Sequence, residues 1–81
     1  MSRIIPRGAE IERARILSGM TCQELAKQAS ILKSSVTRAE QGQGVTVTTA
    51  TGICKALGKS FDDLFVIDRR EPDNMPRREV I

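Results

Sequence analysis

The sequence predicts an all-α fold, five short helices in one compact domain followed by a flexible carboxy-terminal tail, and three observations carry that reading. Apolar residues recur at helical spacing in successive stretches between residues 8 and 66. Helix-opening residues (Thr21, Thr46, Ser60) and helix-ending glycines (Gly19, Gly42, Gly58) stand between those stretches. No pair of alternating apolar runs is joined by a tight Asn-Gly or Asp-Gly turn, so the chain carries no hairpin signal.

The first helix is expected from Gly8 to Ser18. Ile11, Ala14 and the pair Ile16 and Leu17 set its apolar positions, while Glu10 and Glu12 come early and Arg13 and Arg15 late, the order that suits the helix dipole. Gly19 ends it, and Thr21 with Glu24 three residues later forms a capping box for a second helix, Cys22 to about Ala29. That helix presents Leu25, Ala26 and Ala29 on one face and Gln23, Lys27 and Gln28 on the other, and its alanines allow another helix to approach closely.

A short turn, Ser30-Ile31-Leu32, leads into a third helix from Lys33 to about Gln41, in which only Val36 and Ala39 are apolar. A helix this polar either meets an external partner or is a solvated surface helix. Thr46 with Thr49 caps the fourth, which carries Val47, Ala50, Ile53, Cys54 and Leu57 inward before Gly58 stops it. Ser60 and Asp63 make a second capping box, opening a fifth helix over Phe61–Phe65.

Composition sets the outer limits. Eighty-one residues suit a single small domain, and 40% hydrophobic with 28% charged residues is ordinary for a folded soluble chain. No apolar run nears the roughly 18 to 20 residues that cross a bilayer. The amino end, MSRIIPRGAEIERAR, is interrupted by charge too early for a signal peptide, so a cytoplasmic location is expected. With no histidine and only two separated cysteines, Cys22 and Cys54, a zinc site lacks ligands, the thiols are expected reduced, and the usual general base is missing. No metal, no cofactor and no enzymatic activity are expected.

The net charge of +3 is unevenly placed. Residues 68–81 carry Arg69, Arg70, Arg77 and Arg78 against Asp68, Glu71, Asp73 and Glu79, so the whole excess lies in residues 1–67. A mildly basic body suits duplex DNA through counterion release. With two phenylalanines and no Trp or Tyr, the chain offers no stacking platform for single strands.

The pieces Ile11-x-x-Ala14-Arg15, Gly19-Met20-Thr21, Glu24-Leu25-Ala26, Ser34 through Gly42, Ala56-Leu57-Gly58 and Asp63-Leu64-Phe65 occur in order and without a gap across residues 8–66. In them the chain resembles the lambda-repressor-like, Xre/Cro-type helix-turn-helix family. The resemblance implies a five-helix DNA-binding domain over 8–66, a dimer on a palindromic operator, and a third helix that reads the DNA.

Polar and basic side chains at the start of that helix can reach base edges in the major groove. Lys33, Ser34, Thr37 and Arg38 are the candidates: Lys33 and Arg38 can donate to guanine, and Ser34 and Thr37 can pair with several bases. Gln23, Ser35, Gln41 and Gln43 are the candidates for phosphate contact, which sets register without reading sequence. The family also pairs an arginine late in the first helix with a glutamate late in the third, here Arg15 and Glu40, which implies a tie within the scaffold.

Three positions depart from the family pattern. Cys22 stands where glutamine commonly contacts phosphate, which weakens one contact and places a thiol at a helix start, where a redox role is conceivable but a small residue that fits is the simpler reading. Ser30 stands where glycine commonly adopts a left-handed backbone. Leu32 stands where a hydroxyl residue commonly caps the third helix.

Residues 67–81, with Pro72 and Pro76, mixed charges and a short apolar end, are expected to be flexible. Alternatively, Val66-Ile67 or Val80-Ile81 adds a strand or arm to a partner subunit, and the fifth helix is a further candidate for the dimer contact. The function expected is a sequence-specific transcriptional regulator, most simply a repressor. The alternatives are the antitoxin of a toxin–antitoxin pair, its tail wrapping the toxin, and a restriction-modification controller.

Overall fold

Helix-opening threonines and serines, left-handed helix ends and one face of small apolar residues per helix organise the molecule. The computed structural model of the chain describes residues 3–68. In chain order they form a strand β1 (Arg3–Pro6), helices α1 (Gly8–Leu17), α2 (Cys22–Ala29), α3 (Lys33–Glu40), α4 (Val47–Leu57) and α5 (Phe61–Leu64), and a strand β2 (Phe65–Asp68).

The local signals act as their chemistry dictates. Both capping boxes are made: Thr21 Oγ1 accepts from the Glu24 N–H at 3.1 Å while the Glu24 carboxylate accepts from the Thr21 N–H at 2.8 Å, and Ser60 and Asp63 repeat the exchange at 3.3 Å in each direction. Thr46 caps α4 by accepting from the Thr49 N–H at 3.2 Å. Ser30, at φ 59° and ψ 42°, is the one non-glycine residue with positive φ among the described residues. A left-handed backbone costs an L-residue about 1–2 kcal/mol, part of which glycine gives back through its freer unfolded chain. Ser30→Gly is therefore expected to stabilise the domain by about 0.5–1 kcal/mol, seen as a higher melting temperature. An unchanged or lower one would show that the serine side chain contributes more than its backbone costs.

The core lies where α1 to α5 converge. Ile11, Leu25, Val36, Ile53, Leu64 and Phe65 are its largest fully buried side chains, and small residues such as Ala26, Ala39 and Ala50 let the helices close on one another. Phe61 packs at its edge, its ring 5.3 Å from that of Phe65. Phe65 thus belongs to the core, with Phe61 packed against it. Cys22 and Cys54 form no disulfide among the described residues, and burial pushes the Cys54 thiol up from its usual value.

The structure corrects the sequence reading in four places. The fold is mostly helical but not all-α, because β1 and β2 pair antiparallel, with Ile4 opposite Ile67 and Ile5 opposite Val66. The two strands are separated by the entire helical body, so no turn announces them, and they meet only once the helices bring the chain ends together. Val66 and Ile67 accordingly pair within the chain through β1, and the tail expected to be flexible from residue 67 is strand as far as Asp68. The rest of that expectation, including Val80-Ile81, lies outside the described residues. Ile16 and Leu17 are 59% and 73% exposed, because Ile16 points about 140° round the helix from Ile11. Val47, at the first turn of α4, is 64% exposed although Ala50, Ile53, Cys54 and Leu57 of the same helix are buried.

Candidate nucleic-acid interface

α2 and α3 are joined by three residues, and the turn is closed by backbone bonds from the Ser30 N–H to the Lys27 carbonyl at 3.2 Å and from the Ile31 N–H to the Ala26 carbonyl at 2.9 Å. Leu25, Ala26 and Ala29 of α2 and Val36 and Ala39 of α3 bury the inner faces of the pair. Ser35 and Glu40 are partly buried, and the remaining side chains of α3 are exposed.

Lys33, Ser34, Thr37 and Arg38 are all exposed. At about 100° per residue they share one arc of α3, opposite Val36 and Ala39. The Thr37 hydroxyl donates to the Lys33 carbonyl one turn back at 3.3 Å, which occupies its proton and leaves its methyl and lone pairs outward. Ser35 flanks this arc and is half-buried. Leu32 opens the helix in an extended conformation with no side-chain cap and is 72% exposed.

The other polar candidates gather at the far end of α3. The Gln43 side-chain amide donates to Gln41 Oε1 at 3.2 Å, so the two glutamines form one exposed unit just beyond the helix. Gln23 is exposed in the first turn of α2. Cys22, beside it, lies with Sγ 3.9 Å from Glu40 Oε1 in the last turn of α3. The start of α2 and the end of α3 are therefore neighbours.

Arg15 holds that junction. Its guanidinium donates to both Glu40 oxygens, at 2.6 and 3.3 Å, and its remaining fork donates to the Met20 carbonyl at 2.9 Å. The two side chains are 13% and 12% exposed. The bond to Glu40 raises the Arg15 pKa above its ordinary value against the opposing effect of burial. Arg15 thus links α1, the α1–α2 turn and α3 in one bidentate contact.

Behind α3, the Val45 N–H donates to the Ile4 carbonyl at 3.3 Å, and an antiparallel bridge pairs the two residues. β1 is thereby tied to the segment that follows α3. Sequence reasoning found neither this contact nor the β1–β2 pairing; the signal for the pairing was the β-branched pair Ile4-Ile5 near one end of the described chain and Val66-Ile67 near the other.

Two helices joined by a tight turn, the second presenting a polar and basic face, define a helix-turn-helix DNA-binding domain. The family comparison makes this specific: the model of the Cro/C1-type HTH DNA-binding domain matches residues 10–69, and the chain belongs to that family, a DNA-binding transcription regulator of the Xre/Cro type.

Among solved structures, the chain is similar to the clp gene regulator ClgR from C. glutamicum, with 30% identity, a TM-score of 0.60 and coverage of 69% of this chain and 74% of that one. It also shares its fold with the restriction-modification controller protein C.AhdI from Aeromonas hydrophila, at 23% identity and TM-score 0.64 over 69% and 86% of the two chains. The transcriptional regulator VanUg has the same fold, at 21% identity and TM-score 0.61 over 82% and 85%. No curated protein sequence matches the chain. Among the described residues no helix is long and apolar enough to cross a membrane, and no cluster of side chains could hold a metal ion.

Proposed function

We propose that the protein is a repressor that binds a palindromic operator as a dimer, laying α3 of each subunit in the major groove. The observation that carries this is the split character of α3: Val36 and Ala39 fix it to the core, and Lys33, Ser34, Thr37 and Arg38 share the opposite face. In this reading those four read base edges. Gln23, Ser35, Gln41 and Gln43 hold phosphates on either side, and Arg15 with Glu40 sets the angle between α2 and α3. Two copies related by a two-fold axis then meet half-sites about one helical turn apart, excluding RNA polymerase.

Selection from a random duplex pool, followed by titration of the winner at several salt concentrations, tests this. An enriched palindrome with half-sites about 10 base pairs apart and affinity falling steeply with salt is the expected result. No enrichment would count against sequence-specific binding. Arg38→Ala is expected to cost about 1–3 kcal/mol and relax preference at one base pair, while Gln41→Ala weakens all sequences alike. Identical behaviour of the two variants would remove the distinction between reading and positioning.

The fold shared with C.AhdI favours one second reading, a controller that activates as well as represses. A reporter carrying the selected operator separates the two. Repression only fits the first reading, and activation at low protein concentration fits the second.

A further inference from the structure

We infer that Arg3, on strand β1, is a further DNA contact, holding a backbone phosphate beside the recognition helix; the inference rests on the proposed DNA reading and extends its footprint to a second element. Arg3 lines a cleft together with Ser35 and Arg38 of α3 and with Thr46 and Thr49 at the start of α4. The cleft has two guanidinium groups, hydroxyls and no carboxylate in its lining. Two other clefts carry acids: the one between α1 and α5 sets Arg13 and Lys59 against Glu10 and Asp63, and the one beside the start of α2 sets Lys27 against Glu24. The cleft between α2 and α4 also lacks a carboxylate but has a single cation, Lys55, so of these only the Arg3 cleft brings two cations together without an acid.

Two like charges on one concave surface favour an anion between them; Asp68, opposite Arg3 on the β1–β2 ladder, is outside the lining of the cleft. Both Arg3 and Arg38 are exposed, and among the described residues neither guanidinium has a side-chain hydrogen bond or ion pair. Such a pair can be held in place only if the backbone beneath it is held. β1 is fixed on both edges, by its ladder with β2 and by the bridge from Ile4 to Val45. Arg3 therefore stands at a set position relative to α3. Arg38 reaches for a base in this arrangement, so the adjoining anion is a phosphate of the same duplex, and Arg3 is a positioning contact that reads no sequence.

The experiment is titration of the operator selected by the wild-type full chain, and of an unrelated duplex, from 50 to 200 mM salt, using wild type, Arg3→Ala, Arg3→Lys and Arg13→Ala. Arg13 carries the same charge on a different face, so its replacement controls for net charge. Loss of one phosphate contact flattens the salt slope by about 0.9, so the affinity advantage of wild type over Arg3→Ala shrinks about threefold across that range, on both duplexes alike. Arg3→Lys is expected to keep the wild-type slope, and so is Arg13→Ala.

A wild-type slope in Arg3→Ala, or an equal loss in Arg13→Ala, would overturn the inference. A changed base preference in Arg3→Ala would overturn the phosphate assignment. Salt-independent or absent binding by the wild type would overturn the DNA reading itself, and this inference with it. Circular dichroism and the melting temperature of each variant establish that any loss is one of contact rather than of fold.

Discussion

Glu40→Ala is expected to lower the stability of the domain by about 3 kcal/mol, a fall in melting temperature of roughly 12–24 °C for a chain of this size. Both partners of the Arg15–Glu40 pair are close to nine-tenths buried, and Arg15 keeps only the Met20 carbonyl once the carboxylate is gone. Most of the loss is the cost of leaving a guanidinium unpaired away from water, which is larger than the net worth of the pair when both partners are present. A double replacement, Arg15→Met with Glu40→Leu, removes both charges and is expected to be more stable than Glu40→Ala alone. Because folding raises the Arg15 pKa, the arginine's share of the stabilisation is complete at neutral pH and is lost only in strong alkali. A fall of under 1 kcal/mol in Glu40→Ala would place the pair with ordinary exposed ion pairs, which contribute about that much at most.

Gly52→Ala is expected to destabilise the domain by about 2 kcal/mol, although alanine is the better helix former. Two effects compete. In the interior of α4 the exchange gains about 1 kcal/mol of helix propensity. A methyl group there would lie 2.7 Å from the Ala29 carbonyl oxygen and 3.4 Å from the Ala29 Cβ, at the end of α2. Overpacking costs about 1–3 kcal/mol, and the upper end applies because the obstructing atom belongs to the backbone and cannot rotate away. The contact precedes Ser30, so relief by moving α2 tilts the turn and α3 with it, and operator affinity should fall together with the melting temperature. A more stable Gly52→Ala protein would mean that α2 and α4 slide apart at little cost.

Glu40 and Gly52 also show what kind of information the sequence holds. Nothing local to Gly52 marks it: it stands inside an apolar helical run, where glycine reads as a minor weakness. Its role follows from the α2 carbonyl that passes over it. Glu40 carries no local signal either, since a glutamate late in a polar helix reads as solvated. Only the family resemblance suggested the pair, and the structure brings the two side chains together.

Much of the helical part was legible because its causes are local. Thr21, Thr46 and Ser60 open α2, α4 and α5 with side-chain bonds to residues three positions on. Gly19 and Gly58 adopt the left-handed backbone that ends or follows a helix. Val36 and Ala39 alone suffice to say which side of α3 is inward, and so which of its residues are exposed. Ile16, Leu17 and Val47 misled for the converse reason: an apolar residue within a helix is a candidate for burial, but whether a neighbouring element covers it depends on the packing of the whole chain.

By itself, then, the sequence determined the five helices, their caps and the polar face of α3, because each depends on residues within a few positions of one another; the left-handed backbone at Ser30 was suggested by the family resemblance alone. Only the tertiary structure decided the β1–β2 sheet, the burial of Arg15 with Glu40, the closeness of α2 to α4 at Gly52 and the place of Arg3 beside α3. Those contacts join residues 23 to 65 positions apart. Pairing at such range requires the loop entropy of the intervening chain to be met first, and here the packing of the helical core brings the partners within reach.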